Sequence, residues 1–387
     1  MINILGTGII SSLGFTTEEN FKAVKQGFSG VKYYDAGVFN LPESFMAALV
    51  EKKRLDDEFV KISANNNYTH LEKAAILSVF SANIEMQIDL SSARTIFILS
   101  TTKGNIDLLD RQYAISNCPK SEIEQSIYLW RTAELVACFF GNVNTPIVVS
   151  NACISGAAAQ IVAQRELEAE NYDYAVVVGV DFLSKFIISG FQSFKALSPK
   201  LCKPFDKDRC GLNLGEAAAT MIFSREDKEF KGVKLLAGVV RNDSCHISAP
   251  SRIGEGSYRA LKSILQNFTS HTAQIAFINA HGTATPYNDD MEMNAITRAR
   301  LEHIPLNSLK SYFGHTLGAA GVVETIISIC ALNEGLILKT LGFEENEQFS
   351  LNVCNETSKT DKKYFIKMMA GFGGVNSALL YTTNNTN

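Results

Sequence analysis

The residue best suited to nucleophilic chemistry is Cys153. It follows the apolar run Ile147–Val149 and comes just before the small-residue stretch Gly156–Ala159, which predicts a strand that turns into a helix. Unpaired N–H groups and the positive dipole end at a helix N-terminus favour a thiolate. A free cysteine is also among the residue types that are most often buried, so a structural role stays open at this point.

Two histidines have similar surroundings. His281 comes just after the apolar run Ile275–Asn279, His315 comes after Leu306–Leu309, and a glycine adjoins each histidine. The C-terminal ends of strands are where α/β sheets place their ligands. Each histidine alone is more typical of a structural residue. A cysteine with two imidazoles, however, is the set that thioester chemistry uses, because imidazoles move protons or stabilise an oxyanion.

Three further residues accompany this set. Lys310 and Glu324 bracket His315 at distances that a fold could bring together, and Phe372 lies among small residues in Gly371-Phe372-Gly373-Gly374. The glycine pattern predicts a tight backbone with free N–H groups. An ordinary hairpin loop with an anchoring aromatic explains the same pattern equally well.

The elements that must position these residues indicate a layered α/β fold. Short runs rich in Val and Ile alternate with helical patterns throughout the chain. A charged loop at 224–232 divides the chain, and the segment that follows it weakly resembles residues 2–11. We therefore expect two similar α/β halves, with the cysteine in residues 1–232 and both histidines in residues 233–387. The predicted helices include 156–170, 257–268, 290–301 and 319–332.

Composition excludes several other classes of protein. The 387 residues are 46% hydrophobic and 20% charged with a net charge of −4, which suits a globular protein and argues against nucleic-acid binding through bulk charge. No apolar run approaches the ~18 residues of a membrane span. The eight cysteines form no C-x-x-C pair, and Gly6-x-Gly8 lacks the rest of a dinucleotide fingerprint. We expect a reduced, cytoplasmic protein with no metal, cofactor, membrane or nucleic acid.

Taken together and in order, these segments resemble the decarboxylating β-ketoacyl-[acyl carrier protein] synthases, which are condensing enzymes of the thiolase fold. Three more stretches support the resemblance, which covers nearly the whole chain. They are the opening strand and turn from Gly6 to Gly14, the segment from Cys202 to Ala217 and the segment from Asp243 to Pro250. The resemblance implies two similar α/β halves whose mixed sheets pack in an αβαβα arrangement.

The resemblance also implies a role for each candidate residue. Cys153 would be the nucleophile that accepts the acyl group, and His281 and His315 would be the paired imidazoles of decarboxylation and condensation. Two histidines, rather than a histidine and an asparagine, are typical of the elongating synthases.

The other three candidates would support this chemistry. Lys310 would act through hydrogen bonds, and Glu324 would orient the same network. Phe372 would be the gating aromatic, and its N–H would form the oxyanion hole together with the N–H of Cys153.

Several positions depart from the family pattern without removing any of these groups, and they leave the acyl-chain preference open. Asn151 replaces Thr, Lys203 replaces Arg, Cys210 replaces Asp, Ala217 and Ala284 each replace Gly, and Leu13 replaces Pro.

The family further implies acyl- and malonyl-loaded acyl carrier protein as partners. It also implies a homodimer paired through Ile147–Val149, with a heterodimer containing a second ketosynthase-like subunit left open. Two alternatives remain. A non-catalytic subunit like a chain-length factor typically lacks the nucleophile, so Cys153 counts against it. A non-decarboxylating, thiolase-like acyltransferase is disfavoured by the paired histidines.

Overall fold

The computed structural model describes residues 1–109, 125–225, 230, 232–243, 245, 249–266, 268–346 and 350–383. The helices are α1 Thr17–Lys25, α2 Lys52–Phe59, α3 His70–Asn83, α4 Leu129–Phe139, α5 Ser155–Glu168, α6 Lys185–Ser193, α7 Glu255–Leu265, α8 Pro286–Arg298, α9 Lys310–Phe313 and α10 Ala320–Asn333. The strands are β1 Ile2–Ser11, β2 Lys32–Tyr34, β3 Phe45–Ala48, β4 Thr95–Ser100, β5 Ile147–Val149, β6 Tyr174–Asp181, β7 Leu214–Gly215, β8 Ala217–Arg225, β9 Val233–Asn242, β10 Ile275–Asn279, β11 Leu306–Asn307, β12 Leu336–Ile337, β13 Ser358–Lys359, β14 Tyr364–Gly371 and β15 Val375–Thr383.

The main sheet is built from two identical strand arrangements. Its ten strands run in the order β11-β10-β14-β15-β9-β1-β8-β6-β4-β5. Each half contributes five strands to this sheet, which we number one to five in chain order. Counted from the outer edge of the sheet to its centre, the strand order is 3-2-4-5-1 in both halves. Parallel and antiparallel neighbours also follow the same pattern in both. The first strands of the two halves, β1 and β9, meet at the centre of the sheet. The fold is therefore the duplicated, mixed α/β architecture that the sequence predicts.

Two helices lie between the two halves of this sheet, and others cover the outer face of each half. α5 and α10 pack against each other and against strands of both halves, within one apolar cluster that includes Val177, Phe223, Phe277 and Phe365. α3 covers the outer face of the first half, and α7 covers the outer face of the second. These are the five layers of an αβαβα arrangement.

Small residues allow the two central helices to approach closely. A Cβ atom added at Gly156 would lie 2.9 Å from the carbonyl oxygen of Gly318, and one added at Gly321 would lie 2.5 Å from the backbone nitrogen of Ala157. α10 is buried on nearly every side, as its largely apolar sequence predicts.

Three predicted boundaries differ from the structure. The strand predicted over Ile2–Leu5 continues through Gly6 and Gly8 to Ser11 as β1, and both glycines lie against the backbone of α3. The helix predicted from residue 290 begins at Pro286, which occupies a first-turn position that suits proline. The strand predicted over Leu306–Leu309 ends at Asn307, and α9 follows at Lys310.

Parts of two predicted segments lie outside the described residues. In the charged loop these are residues 226–229 and 231, and in the segment from Asp243 to Pro250 they are residues 244 and 246–248. None of the helices in the described ranges has the length and apolar character that a membrane crossing requires.

Replacing Gly321 with valine should destabilise the protein by roughly 1–3 kcal/mol, because a side chain there would force α5 and α10 apart. Chemical denaturation would measure the change in the free energy of unfolding. The control is Gly190→Ala on α6, where an added Cβ meets nothing within 4 Å and stability should stay equal or rise slightly. A Gly321→Val protein as stable as the wild type would contradict this view of the helix contact.

Candidate active site

Cys153, His281 and His315 meet at one cavity of about 380 Å³. The Sγ atom and the ring nitrogens that face it all lie within 4.8 Å of one another. The two imidazole rings are 5.1 Å apart between centroids, with their planes inclined at 82°. The structure thus brings together the three residues that the sequence singled out, although they come from different halves of the chain.

A strained turn presents Cys153. β5 ends at Val149 and α5 begins at Ser155, and between them Ala152 adopts a φ of +47°, in the left-handed region. Ser155 stabilises this turn: its Oγ accepts from the N–H of Asn151 at 2.8 Å and donates to the carbonyl of Ala152 at 2.6 Å. A left-handed alanine costs of order 1 kcal/mol, a cost typical of functional sites.

The surroundings of the Cys153 thiol correct one expectation from the sequence. Cys153 lies just before α5, as predicted, but burial raises its pKa to about 11. The charge of Lys310 and hydrogen bonds from the N–H groups of Phe372 and of Cys153 itself act in the opposite direction. Desolvation therefore outweighs the helix terminus, and the resting group at neutral pH is a thiol.

Two acids that the sequence analysis missed hold the loop of His281. The carboxylate of Glu292 accepts from the N–H groups of His281 at 2.8 Å and Gly282 at 2.7 Å. Asp289 accepts from the N–H of Thr283 at 3.0 Å, and burial raises its pKa to about 7. Their sequence signal was a pair of acids three residues apart on the helix that follows the histidine.

A sharp reversal of the chain after α9 presents His315. Gly314 has a φ of +66°, and a Cβ there would lie 2.3 Å from the carbonyl oxygen of Leu214. The backbone of His315 then joins the neighbouring strand segment: its N–H donates to Asn213 at 2.7 Å, and its carbonyl accepts from Gly215 at 3.0 Å.

Both imidazoles are buried and neutral. Burial, together with the charge of Lys310, holds the pKa of His281 and of His315 well below the usual range. Among the described residues, no hydrogen-bond partner reaches Nδ1 of either ring or Nε2 of His315. Polar atoms that are buried without partners beside a nucleophile suit a site that completes its hydrogen bonds with a substrate.

A buried cluster of three charges lies behind the histidines. Lys310 and Glu324, which bracket His315 in the sequence, are brought together as an ion pair, and both side chains are buried. A second lysine, Lys367 on β14, donates to the other carboxylate oxygen of Glu324 at 2.6 Å. Among the described residues, the hydrogen bonds to the Glu324 carboxylate therefore come from two lysines and not from an imidazole. Sequence analysis missed Lys367, although a lone lysine in the apolar run 364–370 was a signal.

Phe372 lies at the cavity mouth, in the three-residue loop between β14 and β15. Its ring is 45% exposed and packs against Phe191 at 6.1 Å and Phe194 at 5.8 Å between centroids. The hairpin interpretation was therefore correct. At the same time, the N–H of Phe372 reaches the sulfur of Cys153, so one loop carries both the exposed aromatic and a donor at that sulfur.

Comparisons with known proteins identify the family of this chain. The family model described as "Beta-ketoacyl synthase, N-terminal domain" matches residues 1–229, and "Beta-ketoacyl synthase, C-terminal domain" matches residues 234–344. The chain belongs to the β-ketoacyl synthase family. As a member, it is an acyl-transferring condensing enzyme, and the family resemblance seen in its sequence is confirmed.

Individual relatives align with nearly the whole length of this β-ketoacyl synthase. The 3-oxoacyl-[acyl-carrier-protein] synthase 2 of Vibrio harveyi is 27% identical over 412 aligned positions, covering 98% of this chain and 97% of the relative. The enzyme of the same name from Rhizobium meliloti is 27% identical, with 97% of each chain covered.

Solved structures confirm the fold. A ketosynthase from Xenorhabdus doucetiae, solved in complex with its chain length factor, has a TM-score of 0.86 at 24% identity and covers 99% of this chain and 98% of its own. A beta-ketoacyl synthase from Burkholderia phymatum also has a TM-score of 0.86 at 24% identity, with 99% of each chain covered. A cysteine and two histidines are also zinc donors, but family membership favours thioester chemistry for them.

The alkylation rate of Cys153 by iodoacetamide should rise about tenfold per pH unit from pH 7 to 9, because a group with a pKa near 11 is thiol throughout this range and only the thiolate reacts. Peptide mass spectrometry would follow this cysteine apart from the others, with Cys153→Ser as the blank. A rate that is already constant at pH 7 would show that the sulfur is a preformed thiolate.

Proposed function

We propose that this β-ketoacyl synthase catalyses the decarboxylative Claisen condensation of malonyl-acyl carrier protein with an acyl group held on Cys153, in fatty acid or related polyketide or polyene biosynthesis. One observation carries the proposal: a thiol and two neutral, buried imidazoles, His281 and His315, share one cavity within 4.8 Å. A nucleophile alone would support acyl transfer. The imidazole pair adds hydrogen-bond donors where an enolate would form.

The first half-reaction loads the enzyme. The sulfur of Cys153 attacks the carbonyl carbon of an acyl thioester, the bond from that carbon to the carrier sulfur breaks, and the thiol proton passes to the departing carrier thiolate. The N–H groups of Cys153 and Phe372 already converge on the sulfur, so they are placed to bind the oxyanion of the tetrahedral intermediate. Losing one such donor typically costs roughly 2.7–4 kcal/mol of barrier.

The second half-reaction extends the chain. Neutral His281 and His315 donate hydrogen bonds to the thioester oxygen of the malonyl group, the bond to its carboxylate breaks, and CO2 leaves an enolate. The α-carbon of that enolate attacks the acyl carbon on Cys153, the bond from that carbon to the sulfur breaks, and the departing thiolate takes a proton from solvent. Loss of CO2 supplies the carbanion, so no strong base is required, and two imidazoles that resist protonation suit this role.

Lys310, Glu324 and the ring of Phe372 have supporting roles in this proposal. The charge of Lys310 opposes protonation of both imidazoles, and Glu324 holds Lys310 in place. The ring of Phe372 gates the mouth of the cavity, since the residue is partly exposed there and its ring contacts the rings of Phe191 and Phe194. No cofactor takes part in either half-reaction.

The proposed partners are acyl carrier protein, loaded with acyl or malonyl groups, and a second copy of the chain. β5 is the outermost strand of the ten-stranded sheet and its three residues are only partly buried, which supports pairing of Ile147–Val149 across a homodimer. Light scattering of the purified chain tests this assembly: twice the monomer mass supports it, and a monomer that gains activity only with a second, ketosynthase-like subunit favours the heterodimer.

Two narrower assignments complete the proposal. Residues 1–232 and 233–387 act as the two duplicated halves, the first contributing Cys153 and the second contributing His281 and His315. The reaction takes place in the cytoplasm.

Of the two alternative functions, a non-catalytic partner subunit is disfavoured by the accessible thiol at the cavity. A non-decarboxylating acyltransferase is disfavoured by the paired imidazoles.

Replacing Cys153 with alanine should abolish condensation, because the acyl group then has no acceptor. Replacing His315 with alanine should slow CO2 release from malonyl-acyl carrier protein by about 10²- to 10⁴-fold. Product analysis measures condensation by the Cys153 variant, and release of radiolabelled CO2 measures decarboxylation by the His315 variant. Cys138→Ala, an exposed cysteine on α4, is the matched control and should leave both rates unchanged. Normal elongation by the Cys153 variant, or full CO2 release by the His315 variant, would refute the assigned roles.

A further inference from the structure

Lys367 is a fully buried lysine that the mechanism above does not use. Its Nζ donates to Oε2 of Glu324 at 2.6 Å and to the carbonyl oxygen of Ala280 at 3.3 Å. β14 pairs with β10 so that Lys367 lies opposite Asn279, two residues before His281. The side chain therefore connects the end of the strand that delivers His281 to the carboxylate on α10.

Glu324 is shared between two ammonium groups. Lys310 donates to one carboxylate oxygen and Lys367 to the other, and the side chains of both lysines are 0% exposed. Since Lys310 and Glu324 alone would form a neutral pair, Lys367 makes this cluster more positive. The other acid that faces it, Glu292, is occupied by hydrogen bonds from the loop of His281. A second buried cation is costly, so it calls for a function.

The charge of Lys367 reaches both imidazoles. After burial, which is the largest cause, the charges of Lys310 and Lys367 both lower the pKa of His281 and of His315. A field that disfavours a proton on these rings also favours a negative charge placed against them. The enolate of the proposed decarboxylation is such a charge.

Building on the proposed function, we propose that Lys367 is a positioning residue of the condensation site. It anchors Glu324 and the chain ahead of His281, and its ammonium charge, acting through the imidazoles, stabilises the enolate that forms against them.

The charge of Lys367 depends on the pH. Burial lowers the pKa of Lys367 to about 8, while Glu324 and Glu292 act in the opposite direction and Lys310 adds to the lowering. Below that pH the side chain is an ammonium ion and its contribution is present. As the pH rises through 8 the proton is lost, and the contribution is lost with it.

The test compares Lys367→Met and Lys367→Gln with the wild type, measuring kcat/KM for malonyl-acyl carrier protein decarboxylation from pH 6 to 9.5. At pH 7 both variants should be slower by roughly tenfold, and the gap should close as the pH rises through 8 because the wild type then loses the same charge. The control is Lys73→Met, another buried lysine in an ion pair, with Asp56 at 2.6 Å, which should stay within about twofold of the wild type.

Each other outcome contradicts the inference. A loss of equal size at every pH would make Lys367 a structural residue, and so would failure of both variants to fold, as judged by circular dichroism. If the variants have the same kcat/KM as an active wild type, this inference is overturned and the proposed function is not. A wild-type chain that releases no CO2 would instead overturn the proposed function, and this inference with it.

Discussion

The active site depends on the close contact between the two central helices. Cys153 comes just before α5, and His315 precedes α10, so the distance between those helices sets the distance between sulfur and imidazole. Glycines at Gly156 and Gly321 allow that approach, since a side chain at either would meet the backbone of the other helix. The same apolar packing that stabilises the duplicated fold thereby brings a thiol from one half next to an imidazole from the other.

Burial is the second constraint on the site. Burial raises the pKa of Cys153 to about 11 and lowers the pKa of both histidines, so all three groups rest uncharged at neutral pH. Fixed donors and a buried charge cluster compensate for the solvation that burial removes from these groups. N–H groups meet the sulfur, and Glu324 with its two lysines lies behind the imidazoles. Such groups act most strongly on the charges that form during the reaction.

Much of this arrangement could be predicted from the sequence. Val- and Ile-rich runs that alternate with helices indicated layered α/β halves, and a cysteine and two histidines after strands indicated one shared site. The thiolate expectation was wrong, because a position beside a helix terminus carries no information about how deeply the sulfur is buried. Lys367 was missed because a lone lysine in an apolar strand could face solvent, and only the register of β14 against β10 places it at Glu324.

The measurement that tests the central claim most directly is mass spectrometry of the acyl groups trapped on the enzyme after incubation with a panel of acyl-loaded carrier proteins. The account predicts an acyl group on the peptide that contains Cys153, with the preferred chain identified by its mass, and none in Cys153→Ala. Acylation of another residue in the wild type, with Cys153 unmodified throughout the panel, would contradict it.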